Sequence, residues 1–86
     1  MLEPMKRGLS IHVPAVYRIE LQGAVEQHWV EDLGGMEIQC TSREGEPAVT
    51  TLTGELADQA ALAGLLNLVY NLGFPLISVT LLGESK

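Results

Sequence analysis

Between Gln59 and Gly83 this chain carries no formally charged residue, although more than half of that stretch has the spacing of a helix. It reads Gln-Ala-Ala-Leu-Ala-Gly-Leu-Leu-Asn-Leu-Val-Tyr-Asn-Leu, then Gly-Phe-Pro, then Leu-Ile-Ser-Val-Thr-Leu-Leu-Gly. A surface helix of a globular domain normally turns a charged face to water, so an uncharged one asks what covers it. The expected cover is another protein surface, in the first instance a second copy of the same chain.

Size pushes the same way. A chain of 86 residues is one domain, and a domain this small buries only about 60% of the surface its unfolded form exposes. Its single cysteine, Cys40, excludes an intrachain disulfide framework, and no Cys/His cluster suggests a structural metal. Oligomerisation is the support that remains.

Charge excludes some partners. The formal net charge is −6, and the only adjacent basic pair is Lys6-Arg7. Phosphate backbones are bound by clustered basic faces, so a nucleic-acid partner is not expected. The apolar run from Ala60 to Leu82 has the length of a membrane span, but Asn67, Asn71 and the helix-stopping Gly73-Phe74-Pro75 argue against one. The Lys6-Arg7 pair is followed by too short and broken an apolar stretch for a secretory signal. A single unpaired cysteine suits a reducing cytoplasm.

Residues 1–15 hold two prolines, a basic pair and a glycine without a helical period, and read as an arm. Leu9, Ile11 and Val13 alternate with Ser10 and His12, which leaves an added edge strand as the other option. Residues 16–83 read as a single α+β domain. Tyr17, Ile19 and Leu21 alternate with Arg18, Glu20 and Gln22, as in a half-buried strand. Val25, Trp29 and Leu33 stand four apart, the spacing of a short amphipathic helix closed by Gly34-Gly35. Met36, Ile38 and Cys40 mark a second strand, and Ala48 to Thr53 a third that Gly54 ends. A longer helix opens near Ala57 or Asp58, with Leu62, Leu65, Leu66 and Val69 as its core stripe and Gly73 as its stop. Ile77, Val79 and Leu81 then share one face of a fourth strand. This order predicts a ferredoxin-like βαββαβ fold. Its four-stranded antiparallel sheet would carry a short first helix and a long second helix on one face, with the last strand at an edge. The predicted core is Ile19, Leu21, Ile38, Leu52, Leu62, Leu65, Leu66, Val69, Ile77 and Val79.

Chemistry is thin. His12 and His28 lack positioned partners, and Glu26, Glu31 and Asp32 read as a solvated helix face. Cys40 falls on the apolar side of its strand and reads as a small buried hydrophobe. Trp29 reads as a core plug beneath the first helix. No catalytic, cofactor-binding or metal-binding residue is assigned, and no cofactor is expected. What the pattern does nominate is an interface. Opposite the leucine stripe lie Ala60, Gly64, Asn67 and Asn71, flanked by Ala61 and Leu68, and the charge-free fourth strand adds Leu76 and Leu82.

The segment Thr53-Gly54-Glu55-Leu56-Ala57-Asp58-Gln59-Ala60-Ala61-Leu62-Ala63-Gly64-Leu65-Leu66, followed by Leu72-Gly73-Phe74-Pro75-Leu76-Ile77-Ser78-Val79, resembles a family of small bacterial proteins of unknown function. Those proteins share a T-G-x-L-x-D-Q-A-A-L-x-G-L-L segment and an L-G-x-P-L-x-S-V ending. The likeness spans roughly residues 17 to 80 and implies no catalytic residue and no ligand. Leu68 and Tyr70 stand where such proteins often carry basic residues, and Asp32 where a second aromatic is common. At the level of fold alone the chain is also similar to small-molecule-sensing ACT domains, although Gly23-Ala24-Val25-Glu26 replaces their usual Asp-x-Pro-Gly opening. The leading expectation is a non-enzymatic interaction or oligomerisation module, a homo-oligomer or a subunit beside an unidentified protein. The alternative is a small-molecule-binding regulatory domain.

Overall fold

The strand that carries Tyr17, Ile19 and Leu21 becomes the middle of the molecule, because it is hydrogen-bonded on both sides. The structure is a computed structural model that describes residues 13–26 and 35–84. Its elements are β1 (Ala15–Gln22), β2 (Glu37–Thr41), β3 (Val49–Leu56), α1 (Gln59–Leu72) and β4 (Leu76–Glu84). They form a four-stranded sheet in the order β2-β3-β1-β4 with every neighbouring pair antiparallel. The α+β class, the antiparallel sheet and the edge position of the last strand are as the sequence leads one to expect.

The ferredoxin-like βαββαβ expectation is corrected. The described residues follow the order β-β-β-α-β and contain one helix, α1, of 14 residues. At 1.5 Å per residue that is about 21 Å, an ordinary length and not a long one. Val25, expected to open a first helix, instead enters the core from a non-helical segment after β1. Its N–H donates to the Thr50 hydroxyl at 3.1 Å, and that hydroxyl donates to the Gly23 carbonyl at 2.6 Å. Thr50 is fully buried, so the two bonds satisfy it while tying the segment to β3. Trp29, Leu33 and the rest of the expected first helix lie outside the described residues, as does the Leu9–His12 part of the expected arm strand. Ala15, assigned to the arm by composition, opens β1 and is buried.

The core is one cluster on one face of the sheet. Ala15, Tyr17, Ile19 and Leu21 of β1 meet Leu52 and Leu56 of β3, Ile38 of β2, and Leu65 and Val69 of α1, with Val25 and Met36 closing the ends. The cross-strand register sets Ile19 opposite Leu52, and Leu52 opposite Ile38. A row of large apolar side chains therefore runs across three strands.

The third strand does not stop at Gly54; it runs on to Leu56. A Cβ at Gly54 would stand 3.2 Å from both Cα and Cγ of Met36, so glycine lets the buried Met36 close on the strand. The helix is bounded as expected. Asp58 is its N-cap, with a carboxylate oxygen accepting from the Ala61 N–H at 2.8 Å. Gly73 is left-handed at φ 87°; its N–H reaches the Tyr70 carbonyl at 3.0 Å, and the Phe74 N–H reaches that of Val69 at 3.3 Å. This is the Schellman arrangement, and Phe74 follows it onto the core.

Candidate interaction surface

Strand β4 is where the apolar pattern and the packing part company. Its pairing sets Val79 opposite Ile19, Leu81 opposite Tyr17 and Leu76 opposite Leu21, all three partners being buried. Leu76, Val79 and Leu81 therefore share the core side of the sheet. They are nevertheless exposed, at 49%, 39% and 39% of their surface. The helix buries Leu65 and Val69 on the core but leaves these three open, so the β4 margin of the core side is uncovered.

Two bulges shape the strand. The register slips by one residue at Ile77, between the Glu20–Ser78 and Leu21–Leu76 pairs, and again at Leu82, between Tyr17–Leu81 and Val16–Gly83. Each slip reverses the alternation, which is why Leu76 and Val79 lie on one face although three residues apart. Ile77 and Leu82 sit at the slips, and both are exposed. Ile77 and Val79, expected in the core, are thus corrected to the surface. Leu62 and Leu66 are only half-buried, because Leu65 and Val69 take the centre of the helix contact.

The nominated helix positions divide in two. Ala60, Gly64, Asn67 and Asn71 are exposed together with Ala63 and Tyr70, while Ala61 and Leu68 are half-buried against the core. Nothing lies within 4 Å of where a Gly64 Cβ would be. Other residues of the quoted segment are explained by the fold of one chain: Gly54 by Met36, Leu56 and Leu65 by burial, Asp58 by the cap. Gly64 is not. Sequence reasoning nominated Leu76 and Leu82 but missed Val79 and Leu81. Their alternation looked like a buried face, and only their exposure in the folded chain shows that face to be open.

Cys40 is a further correction. It faces Thr50 in the register but lies exposed on edge strand β2, at the margin of the core and not beneath it. The opposite face of the sheet is polar. There a shallow cleft of about 310 Å³ is lined by Glu20, Thr41, Arg43, Glu46, Pro47, Val49 and Thr51. The Ser78 hydroxyl donates to a Glu20 carboxylate oxygen at 2.7 Å, so that carboxylate is already engaged by its neighbour on β4. The cleft brings one guanidinium, of Arg43, beside the carboxylates of Glu20 and Glu46. Among the described residues no three His, Cys, Asp or Glu side chains are grouped to hold a metal ion, and no helix is long and apolar enough to cross a membrane.

A family model described as Domain of unknown function (DUF8691) matches residues 16–80, well over half of the chain, and the chain belongs to that family. No curated protein and no solved structure matches it.

Proposed function

We propose that this member of the family is a non-enzymatic interaction module that works by associating with itself. The observation that carries the reading is the row of exposed Leu76, Val79, Leu81 and Leu82 along an edge strand without a charged residue before Glu84. An edge of this kind is an association hazard in a protein that stays alone, and natural edges are normally blunted by lysine, proline or a covering segment. The uncharged outer face of α1 supports the reading from a second side. A cytoplasmic location and the Thr53–Leu66 wording as the mark of the family belong to the same proposal; the free thiol of Cys40 suits a reducing compartment. The small-ligand alternative rests on a likeness of topology alone, which carries no site.

The test is co-purification. Two differently tagged copies of the chain, expressed together, should be recovered on either tag, and Leu81→Lys in both copies should abolish recovery while leaving the circular dichroism spectrum unchanged. Failure of the wild-type copies to co-purify would remove the reading.

A further inference from the structure

Resting on that reading, we infer that two copies join through β4 alone, antiparallel about a two-fold axis at Thr80, to make one continuous eight-stranded sheet. Hydrogen-bond direction decides which residues of β4 face outward. The Gln22 N–H turns to the Pro75 carbonyl at 2.9 Å, on the β4 side, while the next residue, Gly23, turns its N–H to the Ala48 carbonyl at 2.7 Å, on the β3 side. The β1–β3 register is unbroken from Ala15 to Gln22, so this alternation holds along β1, and Glu20 and Arg18 also turn towards β4. Their partners are Ser78 and Thr80. It follows that Val79 and Leu81, the other two residues of the bulge-free run, direct their N–H and C=O groups away from the sheet. Among the described residues no strand meets them there.

A two-fold axis at Thr80 sets Val79 of one copy opposite Leu81 of the other, twice over. Each such pair exchanges two backbone hydrogen bonds, as in any antiparallel ladder, and Thr80 faces its own copy across the wider space between them. The bulges at Ile77 and Leu82 lie just outside this run and limit it. Directly opposite residues share a face, so Val79 and Leu81 of the two copies come together on the core side, where each is now 39% exposed.

Charge selects a second copy as the occupant, and β4 as the edge. Self-pairing about a two-fold sets residues near the axis beside their own copies, so any charge there repels itself. The chain carries a net −6, yet nothing from Gln59 to Gly83 is charged. The other edge, β2, begins at Glu37 and runs into a loop with Arg43, Glu44 and Glu46. Glu84 and its copy, four residues from the axis on either side, would stand about 27 Å apart at 3.4 Å per residue, beyond the reach of screened repulsion.

Disulfide trapping tests the pairing. In full-length protein carrying Cys40→Ser, Thr80→Cys places two thiols at a non-hydrogen-bonded antiparallel pair, whose Cα spacing permits a disulfide. Gly64→Cys on the outer helix face serves as the comparison. We expect the Thr80→Cys protein to form a covalent dimer about tenfold faster than the Gly64→Cys protein at equal concentration, because its thiols are held together rather than meeting by collision. Light scattering on the uncrosslinked protein separates the possible failures. A dimeric mass with no faster trapping at Thr80, or with trapping at Gly64, leaves self-association standing and overturns the β4 pairing. A monomeric mass overturns both, and slow hydrogen exchange at Val79 and Leu81 in that monomer would put a segment of the same chain on the edge.

Discussion

Ile19 and Val79 face each other directly across β1 and β4, and only Ile19 is buried, at 0% exposure against 39% for Val79. One ladder thus holds both the centre of the core and its unfinished border. The two residues should respond very differently to truncation. At concentrations where the chain is dispersed, Ile19→Ala should cost about 2–5 kcal/mol, the range for emptying a packed aliphatic site. Val79→Ala should cost less than about 1.5 kcal/mol, since part of that side chain already meets water. Urea unfolding at low protein concentration checks the contrast, and equal losses would contradict the packing described.

Thr50 should be sensitive for a polar reason. Thr50→Val keeps the shape but leaves the Gly23 carbonyl and the Val25 N–H without the hydroxyl that serves both. A loss of about 1–3 kcal/mol is expected, the cost of leaving buried polar groups unpaired. Unfolding measurements on Thr50→Ser, which keeps the hydroxyl, separate this from lost packing: serine should recover most of the stability.

Two glycines should give opposite signs. Gly54→Ala drives a methyl group to 3.2 Å from the Met36 backbone and should lower the melting temperature. Gly64→Ala meets nothing and removes a helix-interior glycine, so it should stabilise by about 0.8–1 kcal/mol. Thermal melts of the two variants decide it. A Gly64→Ala protein that is more stable yet unchanged in mass would also show that the helix face is not where copies meet.

Cys40 should label in the folded protein. Its exposure on β2 predicts reaction with a thiol reagent at a rate near that of the unfolded chain. Reaction only after denaturant is added would contradict its placement.

Local chemistry made much of this fold legible. The alternation of β1, the Asp58 cap and the Gly73 stop are rules of neighbouring residues, and the chain obeys them. Those rules became unreliable where the outcome depended on what packs on top. Gly54 has the appearance of a strand end until Met36 is seen against it. Cys40, Ile77 and Val79 follow apolar spacing, but they lie on the two edge strands, where nothing covers them fully, and the two bulges on β4 change which residues share a face. Val25 itself is non-helical, its N–H given to the Thr50 hydroxyl across the chain. The candidate surface was legible as an absence of charge from Gln59 onward, while its strongest part, Val79 and Leu81, depended on register and on what the folded chain leaves uncovered.

The most direct measurement is the mass of the chain in solution by light scattering, at concentrations from micromolar to several hundred micromolar. Self-association through β4 predicts a mass approaching twice the 9.3 kDa of one chain, and a return to one chain in Leu81→Lys with the fold retained. A wild-type mass of one chain at the highest concentration would contradict the central claim.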